Sequence, residues 1–357
     1  MPATLAQSLA AITPVDASLA PRGQAHLDDL TKPQGSLGRL EELALKLFLI
    51  QNGPEKIGAD PARIYTIAGD HGVADEGVSL FPQEVTRQMV LNFLNGGAGI
   101  NVLAATAGVD LKVVDAGAMG GAFPEHPNLI QRKVGPGTAN LAKGPAMTIA
   151  QCTAALELGI DLADMAHAAG CKAVGTGDMG IANTTPSTAL YCAYLGLDPE
   201  EVTGPGTGLA PEGVSRKAAV IRQGLAANAG AVSCGDPLAV LAALGGYEIA
   251  ALAGLVLGAA KKRMAVAVDG FISTAAYTAA WKLCPAVADY AFFSHASAEQ
   301  GHKKILAALK AEPLLHLGFR LGEGTGSAMA LFVLRAAANM FNDMATFSQA
   351  GVSVATS

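Results

Sequence analysis

Residues 172–186 read KAVGTGDMGIANTTP, and how this stretch is parsed decides the fold. Lys172 to Val174 has the apolar character of a strand, which Gly175-Thr176-Gly177 ends, and Ser187 to Leu195 reads as a helix. Thr185 is a favoured N-cap residue and Pro186 a favoured first helical residue, so the loop between strand and helix should present N–H groups and a positive helix end to one spot. The same grammar recurs along the chain. Arg63 to Ala68 meets Gly69-Asp70-His71-Gly72, Leu111 to Asp115 meets Ala116-Gly117, Met264 to Asp269 meets Gly270, and Tyr290 to Phe293 meets Ser294. Near-continuous apolar strands alternating with Ala/Leu-rich helices predict an α/β fold, a parallel sheet with helices on both faces. Ligands of such sheets bind beyond the carboxyl ends of the strands, so the glycine turns predict one rim of one site.

The ends of the chain have a different texture. The first 60 residues form a polar, helix-prone stretch that contains Thr31 to Gly38 and then the helical Arg39 to Ile50, and Ser327 to Phe347 reads as a long helix. We therefore expect residues 1–60 and 328–357 to form a small helical domain beside a large α/β catalytic domain of residues 61–327. Hydrophobic residues make up 51% and charged residues 15% of the chain, which suits a large buried core and argues against disorder. A net charge of −6 offers no basic face for a phosphate backbone, so nucleic acid is not an expected partner. Met1-Pro2-Ala3-Thr4 lacks the basic start of a signal peptide, which predicts a cytoplasmic protein. Pro237 to Ala260 is apolar, but Glu248 interrupts it and Ile249 to Ala260 falls short of about 30 Å of hydrocarbon, so a core helix rather than a membrane contact is expected. Cys152, Cys171, Cys192, Cys234 and Cys284 show no C-x-x-C spacing and read as buried small hydrophobes.

Five constellations carry chemistry. The loop Gly177 to Pro186 fits phosphate. An ordinary strand–helix turn would have the same glycines, but Asn183-Thr184-Thr185 adds side-chain donors and acceptors that favour a site. Thr203-Gly204-Pro205-Gly206-Thr207-Gly208 precedes a helix, Glu212 to Gly224, carrying Arg216, Lys217 and Arg222. Lys217 would supply a positive charge, although any of the three suits a solvated helix face equally well. In Leu321-Gly322-Glu323-Gly324, read as ending a short strand, a carboxylate lies between glycines that let backbone approach a ligand. It suits either a general base or an acid at a helix N-terminus. Finally, Asp70-His71 to Glu76 has no partner spacing for a metal, while Phe81, Gln83, Gln88 and Met89 mix groups that suit a flat heterocycle. Ser294 to His302 lacks a nucleophile elbow, so phosphate or ribose contact is preferred there to hydrolysis. Dinucleotide chemistry is set aside because no G-x-G-x-x-G turn is read ahead of an acidic residue about 20 positions on.

Taken in order, from Lys32-Pro33-Gln34-Gly35-Ser36-Leu37-Gly38 to Gly322-Glu323-Gly324, these motifs resemble the nicotinate-nucleotide:5,6-dimethylbenzimidazole phosphoribosyltransferase family. The resemblance implies a Rossmann-like large domain and a homodimer whose sites are completed by the partner subunit. It implies transfer of ribose-5-phosphate from nicotinate mononucleotide to 5,6-dimethylbenzimidazole or a related lower-ligand base, without a cofactor or metal. It further implies Glu323 as the base deprotonating the acceptor and Asp178 as a second acid. Phosphate and ribose contacts fall to Gly177, Met179, Gly180, Ile181, Ala182, Asn183, Thr184 and Thr185. Gly206, Thr207, Gly208, Lys217 and Ser297 join them. The base pocket falls to Ser79, Phe81, Gln83, Gln88, Met89 and Leu321. The chain departs from the family pattern at Asp178 (usually Glu), at Pro205 (usually Arg), and at Ala296 and Gln300 (usually Arg and Pro). These departures keep a second reading open: a paralogous subunit of a heterodimer acting on phenolic or purine acceptors, or a binding subunit with little activity alone.

Overall fold

The computed structural model describes residues 4–206 and 208–353. Among them six strands form one sheet: β1 Ala62–Gly69, β2 Asp110–Gly117, β3 Leu129–Gln131, β4 Ala173–Met179, β5 Ala265–Val268 and β6 Ala291–Phe293. All pairs are parallel, in the spatial order β3-β2-β1-β4-β5-β6. This is the Rossmann order, and the direction of winding reverses between β1 and β4, where a crevice opens beyond their carboxyl ends.

Both faces of the sheet are covered, as adjacent residues of β1 show. Side chains alternate along a strand, so Tyr65 donates to the Leu162 carbonyl in the helix Ile149–Ala168 while Thr66 donates to the Glu323 carbonyl on the other side. On the first face Ile149–Ala168 packs against the helix Tyr247–Lys261 at backbone contact. A Cβ on Gly159 would lie 1.8 Å from the Ala251 carbonyl oxygen, and one on Gly254 would lie 1.9 Å from that of Leu156. On the second face the helix Thr325–Asp343 crosses β4 and β5 and packs against Gly99–Ala107 and Arg39–Ile50. The chain ends meet there: Leu30 bridges to Thr346, and the rings of His26 and Phe48 touch Phe341 at centroid distances of 4.3 and 5.7 Å.

Several local expectations change. β3 was not foreseen. β4 runs on to Met179 instead of ending at Val174, and no strand precedes Glu323. The spacing Gly175-x-Gly177-x-x-Gly180 does match the dinucleotide fingerprint held to be missing, yet Gly175 and Gly177 lie inside β4 rather than in a turn. They admit a neighbour: a Cβ on Gly175 would lie 2.7 Å from Ile64 Cγ1, and one on Gly177 would lie 2.3 Å from the Glu323 carbonyl oxygen. The apolar run splits at Gly245-Gly246 into Pro237–Leu244 and Tyr247–Lys261, and Glu248 is fully buried in the first turn of the second helix. Cys234 is exposed and Cys284 only half-buried, so the reading of all five cysteines as buried fails there. The stretch Glu84–Ala107 is long and apolar enough to cross a membrane by length and composition alone, with mean hydropathy 1.2. It is interrupted between the helices Glu84–Leu94 and Gly99–Ala107.

Candidate active site

At the switch point β4 delivers Asp178 and Met179 into a cavity of about 290 Å³, and the chain then turns through Gly180 to Asn183. The helix that follows begins at Thr184, not Ser187, with Asn183 at the cap position and no side-chain cap bond. Thr185 therefore lies in the first helical turn, and its buried hydroxyl has no partner among the described residues. Ala182 takes a left-handed φ of 72°. The loop is braced from behind, because Ile181 N–H donates to Thr86 Oγ1 at 3.0 Å. Lys217 lies on Pro211–Ala227 and is buried, while Arg216 and Arg222 on the same helix are exposed. Only Lys217 turns inward: its ammonium donates to Thr184 Oγ1 at 2.6 Å, and burial pulls its pKa down to about 8 despite Glu299 nearby. One formal cation thus stands behind the N-terminus of a helix, where anions bind.

Ser79, Phe81, Gly206, Ser297 and Leu321 also line the cavity, and Phe81 and Leu321 are exposed large hydrophobics. The Ser297 hydroxyl donates to the Phe319 carbonyl, so it holds the rim as well as facing the cavity. Gln83, Gln88 and Met89 do not reach this cavity. Gln83 donates to the His71 carbonyl, Gln88 is exposed on Glu84–Leu94, and Met89 packs against the core. Gly177, Thr185 and Gly208 are also outside the lining, and Thr207 lies outside the described residues.

Glu323 is buried just beyond Gly322, which lines the cavity. Its carboxylate turns toward the helix Gly99–Ala107, where Oε2 accepts from Ile100 N–H at 3.2 Å. There it lies near Leu321 and Thr325, which line a neighbouring apolar hollow together with Leu103, Phe319 and Arg320. Three consecutive residues, Gly322, Glu323 and Gly324, have φ of 80°, 65° and 99°. For Glu323 that conformation costs free energy and persists only where the surroundings impose it. They do: Thr66 holds its carbonyl at 2.6 Å, its N–H reaches the Asp178 carbonyl at 3.3 Å, and Asp269 accepts from the N–H groups of Gly324, Gly326 and Ser327. Burial pushes the Glu323 pKa up and Asp269 adds to this, while the Ile100 N–H opposes both.

Asp178 is buried and accepts from Asn183 Nδ2 at 3.0 Å. Burial raises its pKa well above 3.8, and the charges of Asp269, Glu248 and Glu323 push the same way. A carboxyl whose pKa is higher folded than unfolded loses stabilising power as pH rises from its unfolded value through its folded one. Asp178→Asn should therefore raise the melting temperature relative to wild type at pH 8, with the difference shrinking as pH falls toward 4. Calorimetry across that range checks this, and a constant difference would contradict it.

His295 and Glu299, from the Ser294 to His302 segment, line the cavity as the sequence reading expected, whereas Asp269, Phe271 and Arg320, which also belong to or support the site, were missed, as was the pairing of Glu248 with His71 at 2.7 Å beneath Gly180. Burial lowers the His71 pKa, but Glu248 and Asp70 outweigh it and the net shift is upward. Only the Gly96-Gly97-Ala98-Gly99 run ahead of Ile100 carried a readable sign of close backbone approach. Among the described residues no group of three or more His, Cys, Asp or Glu is placed to hold a metal.

The chain is 70% identical over 346 residues to the nicotinate-nucleotide–dimethylbenzimidazole phosphoribosyltransferase of Oleidesulfovibrio alaskensis, covering 97% of each chain. It is 54% identical over 347 residues to the enzyme of the same name from Chlorobaculum tepidum, again covering 97% of each. Its structure is similar to the crystal structure of CobT from Thermus thermophilus, with a TM-score of 0.88, 46% identity, and coverage of 94% of this chain and 99% of that one. The sequence model of the phosphoribosyltransferase family matches residues 12–352, and the chain belongs to that family.

Proposed function

We propose that this enzyme transfers ribose-5-phosphate from nicotinate mononucleotide to 5,6-dimethylbenzimidazole or a closely related base, in the cytoplasm and as a homodimer. The observation that carries the reading is the arrangement at the switch point: a helix N-terminus with buried Lys217 behind it, two exposed apolar side chains at the rim, and buried Glu323 beside them. The relatives' names supply the donor and acceptor. Phosphate is anchored by Gly180 to Thr184 and Lys217, while Phe81 and Leu321 flank the flat rings.

In the reaction an acceptor ring nitrogen forms a bond to C1′ as the bond from C1′ to the pyridinium nitrogen breaks. The breaking pair returns to that nitrogen, which leaves as neutral ring nitrogen of nicotinate. The acceptor N–H proton passes to the Glu323 carboxylate. Positioning and transition-state charge account for most of the rate. Exposed apolar side chains on the helices beside Glu323, among them Leu91, Val102 and Phe332, support a face shared between two copies. The chain ends, residues 1–60 and 328–357, we read as a helical unit backing that site.

With one base and a single displacement, the β-configured donor should yield the α-riboside 5′-phosphate. Proton NMR of the anomeric centre of the isolated product tests this. A β-riboside would require two displacements and a covalent intermediate, and would remove Glu323 from the role assigned.

A further inference from the structure

The donor assigned above carries two anionic groups, and only one has been given a cation. Lys217 and the Gly180 loop serve the phosphate. The ring carboxylate must then enter a region that already holds the buried carboxyls of Asp178, Glu323 and Asp269, where burial, with the charge of Asp269 adding to it, raises the pKa values of Asp178 and Glu323. Without a local positive charge, that carboxylate would be repelled.

Among the described residues one arginine or lysine lines the cavity, Arg320. Its backbone is fixed on both sides. The Phe319 carbonyl accepts from Ala298 N–H at 2.8 Å and from Ser297 Oγ at 3.2 Å, and Gly322 packs against Asp178 so closely that a Cβ there would lie 3.3 Å from Oδ2. The guanidinium itself is exposed and makes no hydrogen bond or ion pair with a described residue. By contrast, Arg63 is tied to Asp110, and all three guanidinium nitrogens of Arg263 are held by carbonyls or a tyrosine hydroxyl. Arg320 also lines the neighbouring apolar hollow, so its side chain is shared by both cavities.

We infer that Arg320 recognises the carboxylate of the donor's pyridinium ring, and so sets the preference for a nicotinate over a nicotinamide nucleotide. A planar guanidinium matches a carboxylate through two parallel N–H bonds, whereas a neutral amide cannot answer both. This rests on the donor reading above, and the test separates the two. Wild type, R320K, R320Q and R320E are assayed with dimethylbenzimidazole against nicotinate mononucleotide and nicotinamide mononucleotide, with circular dichroism to verify folding.

The quantity read is the ratio of kcat/KM for the two donors. R320Q should lower the wild-type ratio by about 10- to 100-fold, the range for losing a charge-assisted pair. R320E should lower it further, and R320K should retain more of it than R320Q. A ratio in R320Q within about threefold of wild type, or equal losses for both donors, would overturn the assignment, since loss of packing alone does not discriminate charge. Failure of wild type to turn over nicotinate mononucleotide at all would instead overturn the proposed function.

Discussion

Glu323→Gln is expected to lower kcat by about 10²–10⁴, the usual contribution of a positioned general base. Glutamine keeps the length of the side chain, and its amide oxygen can still accept from Ile100 N–H, so the left-handed turn at 322–324 and the affinity for the acceptor should be largely retained. What is lost is the site that takes the acceptor's proton as C1′ is attacked. Steady-state kinetics with the acceptor varied should show the loss in kcat rather than KM. The pH dependence gives an independent check. Burial, helped by Asp269, holds the Glu323 pKa above 4.5, and a base works only when ionised. In wild type kcat/KM should therefore rise with pH through an acid limb displaced above the ordinary glutamate range, and that limb should be missing in the glutamine variant. Near-normal kcat with an acceptor that must lose a proton would exclude Glu323 as the base.

Asp269→Ala is expected to damage stability and rate together, by a different route. The Asp269 carboxylate is buried at the carboxyl end of β5 and accepts from Gly324 N–H at 3.0 Å, Gly326 N–H at 2.7 Å and Ser327 N–H at 3.1 Å. It caps the helix Thr325–Asp343 from another part of the chain, satisfying first-turn donors that have no partner within the helix. Alanine leaves three buried N–H groups unanswered, which should cost about 3–5 kcal/mol, the range for breaking a buried charged network. The turn that presents Glu323 is part of the same network, so kcat should also fall, by about 10²-fold for a displacement near 1 Å. Asn at this position keeps one acceptor oxygen and should fall between alanine and wild type in both respects. Denaturant unfolding and kinetics at a temperature where the variant remains folded would separate the two effects. An alanine variant within about 1 kcal/mol of wild type would show that the turn holds itself.

The fold was largely legible in the primary structure because its signals are local. Apolar runs ending in glycine located β1, β2 and β5, the run Tyr290 to Phe293 ahead of Ser294 located β6, and the helix Arg39–Ile50 was bounded as found. Glu323 and the Gly180 loop stood out for the same reason, as unusual residue types in unusual neighbourhoods. The boundary of β4 was misplaced because Gly175 and Gly177 look like strand breakers in isolation. Their lack of a side chain is required by Ile64 and by the Glu323 backbone, which lies about 146 residues further along the chain.

What the sequence by itself determined is the alternation of elements, and with it a parallel sheet whose glycine turns share one rim. Periodicity and turn chemistry act over a few residues, so they survive without knowledge of the partner. What only the tertiary structure decided is which groups that rim brings together. Lys217, not Arg216 or Arg222, turns inward because one side of its helix is buried against the Thr184 helix. Glu248 is buried because His71, distant in sequence, answers it, and Asp269 serves a helix whose first residue follows it by more than fifty positions. Such pairings are set by long-range packing and by the need of each buried polar group for a partner. Neither leaves a local pattern in the chain.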